Sequence, residues 1–193
     1  EKVLNQDKGV IYLVPEISLT HQVIEAVTKR FGNNVAVLHS GLTGSQKLKE
    51  WKRILTQEAK IVIGARSGIF APVPNLGLII IDEEHDSSYK SGNTPRYHAR
   101  QVAMRICTDK KIPLIMGSAT PSVEAWHLMK ENKIQTHYLT KRLAGGCPPE
   151  IQIVNLSETS PDGRKTEGCI SPQLEDEIRL TLQEKKQIIL FLN

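Results

Sequence analysis

The sequence predicts an α/β fold: a parallel sheet flanked by helices, followed by the start of a second α/β unit. Two observations predict it. Apolar runs of strand length alternate with amphipathic helical stretches over residues 9–132, the pattern of parallel strands covered on both faces. After about residue 140 a Gly- and Pro-rich stretch, "TKRLAGGCPPE", interrupts that alternation before it begins again.

Taken in order, "GVIYLV" (9–14) reads as a strand and "SLTHQVIEAVTKRFG" (18–32) as a helix, with Ser18 suited to its N-cap and Gly32 to its stop. "VAVLHS" (35–40) is the next strand, "TGSQKLKEWKRILTQ" (43–57) the next helix and "KIVIGA" (60–65) the third strand. An irregular link, "RSGIFAPVPN" (66–75), leads to the strand "LGLIIID" (76–82). A polar loop precedes the helix in "YHARQVAMRICTDKK" (97–111), the strand in "PLIMGSA" (113–119) and the helix "SVEAWHLMKEN" (122–132). Residues 1–140 form one unit on this reading. Residues 141–170 supply a linker and a strand, "IQIVNL" (151–156). Residues 171–193 supply a helix with Pro172 in its first turn, then the strand "IILFLN". The amino-terminal "EKVLNQDKG" resembles the tail of a helix and "IILFLN" the end of a strand, so a fragment is expected.

Composition bounds the function loosely. The chain is 39% hydrophobic and 24% charged, with a formal net charge of +4 and a pI near 9.0. That balance is compatible with a polyanionic partner without demanding one. No apolar run is long enough to span a membrane and no signal peptide is visible, which predicts a cytoplasmic protein with no membrane partner. Cys107, Cys147 and Cys169 form no CxxC pair, so reduced thiols are expected and no zinc site. His21, His39, His127 and His137 lack metal-ligand spacing and read as structural or surface residues.

The chemistry-bearing residues follow the strands. In open α/β sheets, ligands bind beyond the carboxyl ends of the strands. There this chain carries "VPEIS", "HSG", "GARSGIFAP", "DEEH" and "GSATPS". An apolar strand that ends in Asp-Glu matches the acidic element of nucleotide hydrolases, in which the Asp holds Mg²⁺ through water. Asp82 is assigned to the metal and Glu83 to orienting or deprotonating an attacking water. His85 could then sense the γ-phosphate through the neighbouring loop, where Gly117 allows close approach and Ser118 and Thr120 offer hydroxyls. The alternative is a set of solvated acids at a strand end, with Glu84 pointing outwards, and a simple turn and cap at 117–122. Pro15, Glu16, Ser18, Arg66 and Ser67 lie where amides, hydroxyls and a guanidinium suit nucleic-acid phosphates. "SSYKSGNTPRYHAR" adds Tyr89, Lys90, Arg96, Tyr97, His98 and Arg100, aromatics beside cations of the kind that grip single strands. Turn and cap chemistry, or an ordinary polar loop, would also account for these segments.

Together these segments resemble the superfamily 2 DExH helicases. "VPEISLTHQ" is similar to motif Ia and "LHSGLT" with "GARSGIFAP" to the elements around motif Ib. "DEEHDSSYK" is similar to motif II and "GSATPS" to motif III. The wording is similar to that of the bacterial primosomal replication-restart helicases over about residues 9–122, and again at "SPQL" and "ILFLN". The resemblance implies a RecA-like sheet making most of helicase lobe 1, plus the start of lobe 2. It implies a 3′–5′ DNA helicase using ATP and Mg²⁺ on single-stranded and forked DNA. It further implies primosome proteins, single-stranded DNA-binding protein and a replicative helicase loader as partners, and residues 89–100 as a loop coupling DNA binding to hydrolysis. Zinc is implied only for an insertion outside this chain. No GxGKT-type phosphate loop occurs here, so the chain alone is expected not to hydrolyse ATP at a useful rate. Two other readings stay open: a non-catalytic DNA- or partner-binding module, and an RNA-directed DExH ATPase.

Overall fold

The computed structural model describes residues 1–16, 21–141, 149–157, 163 and 168–191, with the backbone alone at 21 and 22. Two compact units divide at Thr136/His137.

The first unit is built on β1 (Gly9–Leu13), β2 (Val35–Leu38), β3 (Ile61–Gly64), β4 (Leu76–Ile81) and β5 (Leu114–Met116). They form one sheet in the order β2-β3-β1-β4-β5, and every neighbouring pair is parallel. Helices α1 (His21–Phe31), α2 (Gly44–Leu55), α3 (Ala99–Lys110) and α4 (Val123–Lys130) follow strands β1, β2, β4 and β5. The parallel arrangement brings all five carboxyl ends to one edge.

Strand alternation sorts the core into two faces. Ile11, Leu13, Val62, Ile79 and Ile81 pack in one cluster with Tyr89, Ala99, Ala103 and Cys107. The i, i+4, i+8 spacing of the three small residues on α3 makes the stripe that meets this cluster. Val14, Val35, Ile61 and Ile63 form the other cluster, with Tyr12, Val27 and Phe31 packed against it. The three interior strands, β3, β1 and β4, are strongly apolar because they are covered on both faces and paired on both sides.

Local signals set the boundaries. Thr43 and Gln46 form a reciprocal capping box at the start of α2. Gly32 takes φ +60°, which lets the chain leave α1 as expected. The link after β3 is a 3₁₀ helix, Arg66–Phe70. A Cβ at Gly64 would lie 2.9 Å from the Leu38 carbonyl oxygen and 3.2 Å from Gly68 Cα, so the turn closes against bare backbone there. Ser18 and Cys147 lie outside the described residues.

In the second unit, α5 (Pro172–Gln183) forms as expected, capped by Ser171 Oγ, which accepts from Leu174 N at 3.1 Å. The strands expected at 151–156 and 188–193 do not form among the described residues, 151–156 and 188–191. A strand takes its hydrogen bonds from a neighbour, and all the described ladders belong to the first unit. Ile151, Ile153, Ile189 and Phe191 are exposed instead. Among the described residues, no helix is long and apolar enough to cross a membrane.

Candidate functional site

Beyond β4 the ladder continues for a few residues on both sides. Asp82 N donates to Leu13 O at 2.9 Å, Gly117 N to Ile81 O at 2.8 Å and Glu84 N to Gly117 O at 3.0 Å. The 82–85 turn is thus pinned between the ends of β1 and β5. Glu83 takes φ +44°, unusual for a residue with a side chain, and this bend separates the three consecutive acids.

Asp82 is half-buried. Its Oδ2 accepts from Tyr12 Oη at 2.9 Å and its Oδ1 from Glu83 N at 3.1 Å, while its backbone carbonyl accepts from Tyr89 Oη at 2.7 Å. Burial, then the hydrogen bond to and charge of Asp82, push the Tyr12 phenol up to about 12. Burial and then the neighbouring acids raise Tyr89 too. Both phenols are therefore neutral donors near pH 7. Glu83 is half-exposed, its side chain 44% accessible, and its carboxylate lies 3.6 Å from His85 Nδ1.

His85 joins two loops. Its Nδ1 is 2.7 Å from Ser118 Oγ and its Nε2 3.4 Å from Thr120 Oγ1, while Thr120 N donates to Ser118 Oγ at 3.1 Å. The pairing of β4 with β5 produces this contact, as the sequence predicts. A Cβ at Gly117 would sit 3.5 Å from Asp82 Oδ1, an ordinary contact. Packing among the described residues therefore does not demand glycine there.

Glu84 corrects the outward placement. It is 3% exposed, and its carboxylate accepts from Arg100 Nη1 at 2.7 Å, Ser122 N at 2.7 Å and Ser122 Oγ at 3.0 Å. A buried carboxylate requires such partners. Arg100, expected to face nucleic acid, is buried with it and also hydrogen-bonds Ser122 Oγ. Arg100 thus ties the 82–85 turn to the starts of α3 and α4.

Several other residues expected at the nucleic-acid surface also turn inwards. Tyr89 is 0% exposed and Pro15 is fully buried, so neither ring is free to stack on a base. His98 is half-buried and caps α3, its Nδ1 accepting from Arg100 N at 3.3 Å. Burial and the Arg100 charge lower its pKa. Arg66 Nη1 donates to Ser88 O at 3.1 Å and Lys90 O at 2.8 Å, and its guanidinium lies over the Tyr97 ring at 5.8 Å. Arg66 fastens the 88–97 loop to the turn after β3. Glu16, Ser67, Lys90 and Arg96 are exposed, with Glu16 accepting from Ser40 Oγ. The sequence reading missed Phe70, half-exposed and edge-on to Tyr97 with ring centroids 5.0 Å apart. No cation adjoins Phe70 in the sequence, so nothing marked it. It also missed Tyr12, whose one signal is a phenol inside an otherwise aliphatic strand.

Among the described residues, no group of three or more His, Cys, Asp or Glu side chains could enclose a metal ion, and no cation pairs with Asp82. A half-buried carboxylate with hard oxygen donors and a lone pair left on each oxygen fits a hydrated divalent cation better than one enclosed in a protein cage.

Residues 1–128 match the family described as DEAD/DEAH box helicase. The chain is 55% identical over 193 residues to the replication restart protein PriA of Treponema pallidum (strain Nichols), covering 100% of this chain and 28% of that protein. Identity to the replication restart protein PriA of Bacillus subtilis (strain 168) is 42%, covering 100% and 24%. For the protein of that name in Synechocystis sp. (strain ATCC 27184 / PCC 6803 / Kazusa) it is 45%, covering 98% and 23%. The chain thus spans about a quarter of the length of these relatives. A parallel α/β sheet with Asp82, Glu83 and His85 at its carboxyl edge, over a stretch that matches the family model, makes this chain a member of the DEAD/DEAH box helicase family.

Proposed function

We propose that this chain is part of the motor core of an ATP-dependent DNA helicase that acts in replication restart. Residues 1–140 make most of a RecA-like first lobe and 171–193 begin the second. The observation that carries the reading is the joined edge at β4 and β5, where the turn holding Asp82, Glu83 and His85 meets Ser118 and Thr120 of the loop after β5. The relatives' shared name supports the process.

When bound, ATP and Mg²⁺ supply the scissile phosphoanhydride and the positive charge that offsets the acidic turn. Asp82 would hold the hydrated ion. Glu83, half-exposed beside it, would orient the attacking water and accept its proton. His85 links that event to the 117–122 loop through Ser118 and Thr120. Glu16, Ser67, Lys90, Arg96 and Tyr97, with Phe70, form the surface that meets single-stranded or forked DNA. Primosome proteins, single-stranded DNA-binding protein and a replicative helicase loader are the partners of this reading, and the cytoplasm its compartment.

The test is Glu83→Gln in the full-length protein. DNA-stimulated ATP hydrolysis is expected to fall by about 10²-fold or more, with single-stranded DNA binding retained in a polarisation assay. Unchanged turnover would sink the assignment and favour a non-catalytic binding module. Equal stimulation by the matching RNA strand would overturn the preference for DNA.

A further inference from the structure

We infer that Tyr12 is a positioning residue for the ion-holding carboxylate of Asp82, an inference that rests on the proposed role of Asp82. Tyr12 sits near the middle of the sheet, on β1, paired with Ile63 of β3 and Ile80 of β4. Its neighbours Ile11 and Leu13 face the opposite core cluster, and Tyr12 itself packs against the cluster formed by Val14, Val35, Ile61 and Ile63. The hydroxyl therefore stands on a rigid base and reaches Asp82 Oδ2 at 2.9 Å.

The consequence lies in the pairing of donors. Asp side chains rotate broadly about their last torsion. Here Glu83 N holds Oδ1 at 3.1 Å and Tyr12 holds Oδ2. Two donors on two different oxygens fix the plane of the carboxylate and leave a lone pair on each for metal-bound water. Glu83 N belongs to the same turn as Asp82 itself. The Tyr12 hydroxyl is anchored in a different strand, so it is the donor that ties the carboxylate to the sheet. Phenylalanine at this position would fill the same space in the core and lack that tie. Groups that orient a metal-binding side chain from behind commonly govern metal affinity.

The experiment titrates Mn²⁺ into the full-length protein with ADP and counts free ion by electron paramagnetic resonance. Tyr12→Phe is expected to weaken Mn²⁺ binding on the order of tenfold, with a similar rise in the Mg²⁺ needed for half-maximal ATP hydrolysis. In an Asp82→Asn background, adding Tyr12→Phe is expected to change nothing further. An unchanged thermal melt confirms that the variant folds. Tyr12→Phe with wild-type Mn²⁺ affinity, in a protein where Asp82→Asn weakens it, overturns the inference and leaves the role of Asp82 standing. Wild-type affinity in Asp82→Asn itself overturns both. A purely structural hydroxyl would shift the melt and leave the Mn²⁺ titration where it was.

Discussion

Three acids of identical charge stand in consecutive positions at the end of β4, and the backbone gives each a different environment. Asp82 is held half-buried by a phenol and an amide, Glu83 is swung outwards by its positive φ, and Glu84 is sealed inside with Arg100 and Ser122. Glu84 therefore bears on stability rather than on the reaction directly. Its side chain is 2% exposed and that of Arg100 11%, so removing one partner strands a charge away from water. Glu84→Ala is expected to destabilise the first unit by about 3–5 kcal/mol in urea denaturation. Glu84→Gln, which still accepts from Ser122 N, should cost less. Equal, near-zero effects for both would show the pair to be dispensable. The sequence displayed the residue types at this site but not their directions. Asp82, His85, Ser118 and Thr120 were legible because strand pairing alone brings them together. Arg100 and Tyr89 were misread because an aromatic or a cation in a polar loop looks the same whether it faces solvent or plugs the core.

At the scale of elements, helix starts do much of the work of holding the site. The α3 cap is the unusual one, since His98 can titrate where Ser, Thr or Asp caps elsewhere in the chain cannot in the same range. Burial and Arg100 lower its pKa, with Lys90 acting in the same direction and Glu124 and Glu84 opposing. A lowered pKa means that the unfolded chain takes up this proton at a higher pH than the folded one. Stability from this group is complete above the ordinary histidine value of about 6.5 and is lost as pH falls through the folded value. Protonation also removes the acceptor that Arg100 N uses. Melts of the chain should therefore rise in temperature from pH 5 to pH 7. His98→Asn, which keeps a cap acceptor and cannot protonate there, should flatten that slope. A slope as steep in His98→Asn as in the parent would assign the effect to other groups.

For the whole molecule, the alternation of strand and helix was enough to foresee the sheet, because each apolar run finds a partner within the first unit. It was not enough at 151–156 and 188–193, where the runs are also largely apolar but no neighbouring ladder is described. A strand is a property of a pair, and a pattern in one segment cannot supply the other. The difference should be visible in amide hydrogen exchange of the chain. β1 and β4 have partners on both sides and bury Ile11, Leu13, Ile79 and Ile81 to 1% exposure or less. Their amides open only with the unit as a whole and should exchange slowest. Amides at 151–156 and 187–191 lie in no ladder, and Ile153 and Ile189 are each 95% exposed. They should exchange within the first time points. Ile79→Ala, expected to cost about 2–5 kcal/mol, should speed exchange across β1 and β4 together and leave 151–156 unchanged. Protection at 151–156 matching that of β1 would mean that the second unit already carries a sheet of its own in solution.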